Sequence, residues 1–323
     1  MVLLLLSVAS ACERWAQLTA LAPLSAPGLD ESSGVAPSRI TRNQLWTHDD
    51  SGTPELFRFG IDGTYTVHEV PGAANEDWED IASAPCGGRE ACLYVADIGA
   101  ERPDPTSLQV YVVVEPDGDG PARLRERWEL RWPGTPRDAE TLLVDPCTQE
   151  AWIVTRGETT EVFAVDPTRG PSATDLLPVT SLPVGPITGG DFAPDGTGVV
   201  LRTQDAIWLW RKDPEAGVDW EEAPLLVADG LEPGEAITWE ADGDLVLTSE
   251  GAPTAVGRLA CELPSLEPQC TAGGCGCALS PASGPLPWAW LGLAGVGWGA
   301  VRRRASRTSS RPPSAPRSPA RAP

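Results

Sequence analysis

Three observations predict that this 323-residue chain is all-β and folds as a five-bladed β-propeller. One strand pattern recurs five times, its apolar anchors fall 45 to 61 residues apart, and the fifth copy lacks an outer strand that the amino-terminal segment can supply. Repeats of this period stack because a single unit cannot bury its own apolar faces.

Each unit opens with an acidic or small polar cluster that leads into an apolar strand. These openings are "LDESSGVAPS" (29–38), "EDWEDIASAP" (76–85), "RDAETLLVDP" (137–146), "TGGDFAPDG" (188–196) and "GEAITWEADG" (234–243), with anchors Val35, Ile81, Leu142, Phe192 and Ile237. Second strands follow as "LWTHDD" (45–50), "CLYVADI" (92–98), "EAWIVTR" (150–156), "VVLRT" (199–203) and "DLVLTSE" (244–250). Third strands are "ELFRFGI" (55–61), "LQVYVVVE" (108–115), "EVFAVD" (161–166), "AIWLWRK" (206–212) and "AVGRLACE" (255–262). Their length and their β-branched and aromatic content suit strands. Fourth strands are "TYTVHEV" (64–70), "ERWELRW" (126–132), "LLPVTSL" (176–182) and "APLLVA" (223–228), and the fifth unit has none. The segment "RWAQLTALA" (14–22) precedes the first unit and fills that gap. Propellers commonly close their ring in this way and so leave no long unpaired edge. The propeller is assigned to residues 12–265. Splitting the long second unit would give six blades, the main alternative, and a β-sandwich is the third.

The two ends read as addresses. "MVLLLLSVASAC" is a short apolar run with Ala9-Ser10-Ala11 before Cys12, so residues 1–11 are expected to be a signal peptide, and Cys12 the first mature residue and a lipidation candidate. Residues 266–285 are a linker rich in Cys, Gly, Pro and Ser. Residues 286–301 form an apolar run of 16, short of the roughly 20 that span a bilayer unaided, and arginines at 302–304 mark its cytoplasmic side. A basic tail, 302–323, completes the chain. The expected protein is exported, held in the cell envelope by this transmembrane helix, and monomeric.

Charge excludes one class of partner. The formal net charge is −22, and the seven arginines beyond residue 301 conceal −29 on the rest. Such a body repels nucleic-acid phosphates. Cysteine spacing fits export, with local disulfides expected for Cys86 with Cys92 and for Cys261 with Cys270, while Cys147 has no obvious partner. Two histidines, His48 and His68, and the lack of a CxxC pair argue against zinc.

In a propeller the innermost strand starts at the face where the second strand ends, so side chains from those two places surround one mouth of the channel. The starts supply Asp30, Glu31, Asp77, Glu79, Glu140, Asp191 and Glu235; the ends supply His48, Asp49, Asp50, Asp97, Arg156, Arg202 and Glu250. An oxygen-rich ring suits Ca²⁺, and the expected ligands are Glu79, Asp97, Glu140, Asp191 and Glu235. Ligand contacts are expected from His48, Asp50, Arg156, Arg202 and Glu250, the arginines by bidentate hydrogen bonds. A purely structural ring, whose acids accept backbone N–H bonds from neighbouring blades, is the competing reading.

Two resemblances add to this. Gly274 to Cys277, the Pro/Ser spacer, the apolar run and the arginine cluster resemble the MYXO-CTERM sorting signal of myxobacterial surface proteins, which implies processing near Cys275 or Cys277 and display at the surface. "LWTHDDSG", "DWEDIA", "LYVADIGAER", "DAETLLVDP", "GGDFAPDG", "VVLRT" and "LTSEG", in this order, resemble secreted bacterial propellers related to TolB-like and NHL-like domains, some with phytase- or esterase-like architecture. Ala100-Glu101 stands where that family has Asp-Asn. No G-x-S-x-G elbow or evident base accompanies the acids. The expected function is therefore a surface binding or scaffold module for an unidentified surface ligand, with a calcium-dependent phytase- or esterase-like hydrolase as the alternative.

Overall fold

The computed structural model describes residues 12–88, 90–157, 159–166, 173–213, 216–231 and 234–264. The expected signal peptide, linker, transmembrane run and tail, with Cys270, Cys275 and Cys277, lie outside them. No helix among the described residues is long and apolar enough to cross a membrane.

The described residues open with β1 (Cys12–Trp15) and β2 (Thr19–Ala20), and five blades follow in order. Blade 1 is β3 (Ser32–Pro37), β4 (Gln44–Asp49), β5 (Glu55–Gly60) and β6 (Tyr65–Glu69). Blade 2 is β7 (Trp78–Pro85), β8 (Ala91–Asp97), β9 (Ser107–Val114) and β10 (Arg123–Arg131). Blade 3 is β11 (Ala139–Val144), β12 (Ala151–Thr155) and β13 (Thr160–Val165), then β15 (Leu177–Leu182), because the short β14 (Thr174–Asp175) first pairs in parallel with β10. Blade 4 is β16 (Ile187–Phe192), β17 (Gly198–Thr203) and β18 (Ile207–Asp213), flanked by β19 (Gly217–Val218) and β20 (Leu225–Ala228). Blade 5 is β21 (Ile237–Trp239), β22 (Leu245–Thr248) and β23 (Val256–Leu259), and its outer strand is β2.

Five blades, three of four strands and two widened to five, thus replace the six-blade and sandwich alternatives. The 61-residue spacing of the second unit goes into the long strands β9 and β10 and the 99–106 loop, not into an extra blade. Closure follows the predicted route, with Thr19 opposite Arg258 and Ala20 opposite Gly257.

Alternation along each strand divides the core into sectors between blades. On β17, Val199 and Leu201 pack toward Leu143 and Val154 of blade 3, whereas Val200 packs toward Ile237 and Leu247 of blade 5. Trp46 on β4 faces Ile81 and Tyr111 of blade 2, and its neighbour Leu45 faces Ala236 and Val246 of blade 5. Burying a side chain of this size contributes about 2–3 kcal/mol, so each blade is stable chiefly through its neighbours. The inner strands β3, β7, β11, β16 and β21 touch one another in turn around the axis. Gly34 permits blade 1 to approach blade 2 closely: a Cβ there would lie 2.7 Å from the Ile81 nitrogen and 2.6 Å from His48 Nε2.

The disulfides correct two expectations. Cys86 does pair with Cys92, but Cys261 pairs with Cys12 and not with Cys270. The bond joins β1 to β24 (Cys261–Pro264), which lie antiparallel, and so clasps the two ends of the propeller. A sulfur in that bond cannot carry a diacylglycerol thioether, so lipidation of Cys12 is incompatible with it. Cys147 is also disulfide-bonded; since the other four described cysteines pair among themselves, its partner lies outside the described residues.

Candidate active site at the upper channel mouth

The upper mouth is the face where inner strands begin and second strands end. Blade 1 brings Glu31, Asp49 and Asp50 to it, blade 2 Asp77 and Glu79, blade 3 Asp138, Glu140 and Arg156, and blade 5 Glu235 and Glu250. The repeated Asp-x-Glu of Asp77-Trp78-Glu79 and Asp138-Ala139-Glu140 explains two of these sets, because residues i and i+2 of a strand share a face. Asp138 was legible through that repeat and was missed.

These carboxylates form an electrostatically closed ring. Asp50 and Glu250 act on Glu31, Asp50 and Glu140 on Glu79, Glu235 on Glu140, and Glu250 on Glu235. A hydrogen bond with the Asp50 side chain raises Glu31 to about 7. Burial first, then the charges of Glu140 and Asp77, hold Glu79 well above the ordinary carboxylate range. Burial also pushes Glu140 up to about 7 even though Arg156 Nη1 donates to its Oε1 at 2.9 Å and opposes the shift. Glu235 is raised by burial, and its Oε2 is buried without a hydrogen-bond partner.

Backbone amides hold the blade 2 side of the mouth. Glu101 N–H donates to Asp77 Oδ2 at 2.6 Å, and the Ala100 amide bonds Asp138. A Cβ on Gly99 would lie 2.1 Å from Glu79 Oε1 and 2.2 Å from Asp77 Oδ2, so both oxygens border the space over that glycine. The Ala100-Glu101 departure therefore leaves a turn that works through its amides.

The other expected site residues are placed differently. Asp97 is fully buried, 3.1 Å from the buried Arg102 Nε, and accepts the Asp77 N–H. Arg102, whose Nη1 also donates to the Asp97 and Ser107 carbonyls, was not anticipated. Asp191 is the fifth residue of β16, toward the lower end of the channel, and its Oδ2 accepts Thr238 Oγ1 at 2.7 Å and Trp239 N–H at 3.1 Å. Asp80, also unanticipated, likewise accepts Leu142 N–H at 2.9 Å from the next blade. Arg202 is buried and donates Nη1 to the carbonyls of Ala236 and Thr248, 3.0 Å each. His48 is fully buried, its Nδ1 3.1 Å from the Asp49 carbonyl, and burial lowers it to about 4, so it is a neutral core ring. Arg156, Glu250 and Asp50 remain at the mouth with Glu79, Glu140 and Glu235.

The expected calcium set does not close on one point. Among the described residues, the acids whose ligand atoms lie within 4.8 Å of one another are Glu240, Asp242 and Asp244, on the β21–β22 turn at the lower face. Arg258 fills that cluster, with contacts of 2.9, 3.1 and 2.8 Å to the three carboxylates.

No protein-family model matches the sequence, and no curated protein matches it. Solved structures do. A PQQ-bound aldose sugar dehydrogenase from Streptomyces coelicolor is 14% identical, with TM-score 0.42 over 78% of this chain and 99% of its own. The apo-form of a soluble aldose sugar dehydrogenase from Escherichia coli is 10% identical, with TM-score 0.47 over 76% and 100%. A putative oxidoreductase (glucose dehydrogenase) from Thermus thermophilus is 13% identical, with TM-score 0.47 over 76% and 99%. These are proteins named for sugar oxidation. They run against the expected binding or scaffold module and against its phytase- or esterase-like alternative, and both readings are withdrawn.

The two expected cations are already committed, Arg156 to Glu140 and Arg202 to backbone carbonyls. What this chain's own strand order establishes is a β-propeller.

Proposed function

We propose that this protein is an exported enzyme that performs acid–base chemistry on a neutral, hydroxyl-rich substrate at the upper mouth. The carrying observation is Glu140, held by Arg156 in a closed carboxylate ring and pushed to about 7. A base transfers protons most effectively when its pKa lies near the working pH. The ring repels phosphates and carboxylates, whereas hydroxyl groups can donate to it. A sugar is the substrate class that fits, and oxidation is the reaction to test first. In it Glu140 takes the hydroxyl proton while a hydride passes to an acceptor from solution.

Calcium is the proposed cofactor. Asp77 and Glu79, which both border the space over Gly99, would supply two ligands, with water and substrate hydroxyls completing the shell. The disulfides support export, because such bonds persist in oxidising compartments. Anchoring through residues 286–301 is part of the same proposal.

The test is aldose-dependent reduction of a soluble electron acceptor by protein made in an oxidising compartment, with calcium or chelator. The expected result is a calcium-stimulated rate that falls at least about 100-fold in Glu140→Gln, the range for loss of a general base. No aldose-dependent reduction over a panel of neutral sugars and acceptors overturns the reading.

A further inference from the structure

The lower end of the channel carries Arg39. Arg39 follows β3 and is half-buried; its Nη1 donates to the Ser83 carbonyl of blade 2 at 3.4 Å, and its charge acts on Asp191 of blade 4. A side chain from blade 1 that bonds blade 2 and whose charge is felt in blade 4 lies toward the axis, where β3 and β16 also approach each other.

Its backbone is held in place. Glu115, at the end of β9, is buried and accepts three hydrogen bonds: Arg39 N–H at 3.0 Å, Ser38 Oγ at 2.5 Å and Trp46 Nε1 at 3.0 Å. Ser38 Oγ in turn accepts the Thr41 N–H at 2.9 Å. The acidic residue thus fixes the turn that aims the guanidinium inward. The Ser83 hydroxyl, on the residue that accepts Arg39, is buried and has no hydrogen-bond partner.

We propose that Arg39 is a bolt across the lower end of the axial channel, positioned by Glu115, and that the mouth is therefore a blind pocket entered from the upper face alone. The bolt stands in the fold whether or not the mouth is catalytic. It also keeps a positive charge beside Asp191 where water would otherwise enter.

Thiol labelling tests this. Ser83→Cys places a thiol on the residue whose carbonyl accepts the guanidinium, and a small neutral thiol reagent followed by peptide mapping reads that site apart from the native cysteines. The expected labelling rate rises about tenfold when Arg39→Ala is added, and by less with Glu115→Gln, which keeps the size but weakens the grip on the turn. Amide exchange on β12 and β22, remote from Arg39, should stay unchanged. Equal labelling of Cys at position 83 with and without Arg39 overturns the proposal. So does faster exchange on β12 and β22 in step with labelling, because Arg39 would then be a general stabiliser. Should Arg39→Ala fail to fold, Arg39→Gln keeps much of the stem and is read in the same way.

Discussion

Lys212, the single lysine in a chain with 23 arginines, is buried and donates its Nζ to the fully buried carboxylate of Asp145. The pair joins β18 of blade 4 to the end of β11 in blade 3, and Asp145 Oδ1 also accepts Cys147 N–H at 2.8 Å. The ammonium acts here as a compact point charge. Lys212→Met leaves Asp145 buried and uncompensated, and should cost about 3–5 kcal/mol. Urea unfolding of the two proteins checks this, and Lys212→Met with Asp145→Asn should recover part of the loss.

The Cys12–Cys261 bond closes a loop with a sequence separation of 249 residues. A crosslink over so long a loop removes much entropy from the unfolded chain, and such bonds usually contribute about 2–4 kcal/mol. Replacing both cysteines by serine should lower the unfolding free energy by that amount, read from the shift of the urea midpoint. The loss should appear first as faster amide exchange at β1, β2 and β23, since the clasp holds the outer edge of blade 5.

Stability should fall as pH rises through neutrality. Burial raises Glu140 and Asp191 to about 7 and Asp97 to about 6, and raises Asp80 and Glu79 well above their ordinary values. A carboxyl whose folded pKa exceeds its unfolded one contributes stability that is fully present below the unfolded value, about 4, and is lost as pH passes the folded value. The window thus runs from about 4 to about 7. His48 opposes this at the acid end: lowered to about 4 by burial, it contributes stability that is lost as pH falls below its ordinary value. Tm should therefore peak in mildly acidic solution and decline toward about pH 8, less steeply in Asp191→Asn. A Tm that is flat from about pH 5.5 to 8 contradicts the assignment.

Activity should report the Glu140–Arg156 pair through its pH profile. With Glu140 as base, the rate rises with pH through a limb near 7. Arg156 lowers that pKa, so Arg156→Ala should move the limb upward by about one unit or more. A limb that stays in place assigns the titration to another group.

The ring and its blades were legible because a strand pattern with apolar anchors is local. Val35, Ile81, Leu142, Phe192 and Ile237 each mark an inner strand, and the missing fourth strand of the last unit pointed to residues 14–22. The mouth was legible in part. Glu79, Glu140, Glu235, Asp50, Glu250 and Arg156 follow from the rule that inner strands start where second strands end. Asp191 did not, since four residues along a strand at about 3.3 Å each carry it toward the opposite end of the channel.

Sequence by itself determined the repeat, the closure of the ring and the excess of acid, which depend on residue order and strand periodicity. Tertiary structure decided which acids stay at the mouth and which become ties between blades. Asp97 meets Arg102, Asp80 meets Leu142, Asp191 meets Trp239, and Cys261 meets Cys12 rather than Cys270. The reason is physical: a buried carboxylate or thiol takes the partner nearest in space, and only the closed ring sets that distance.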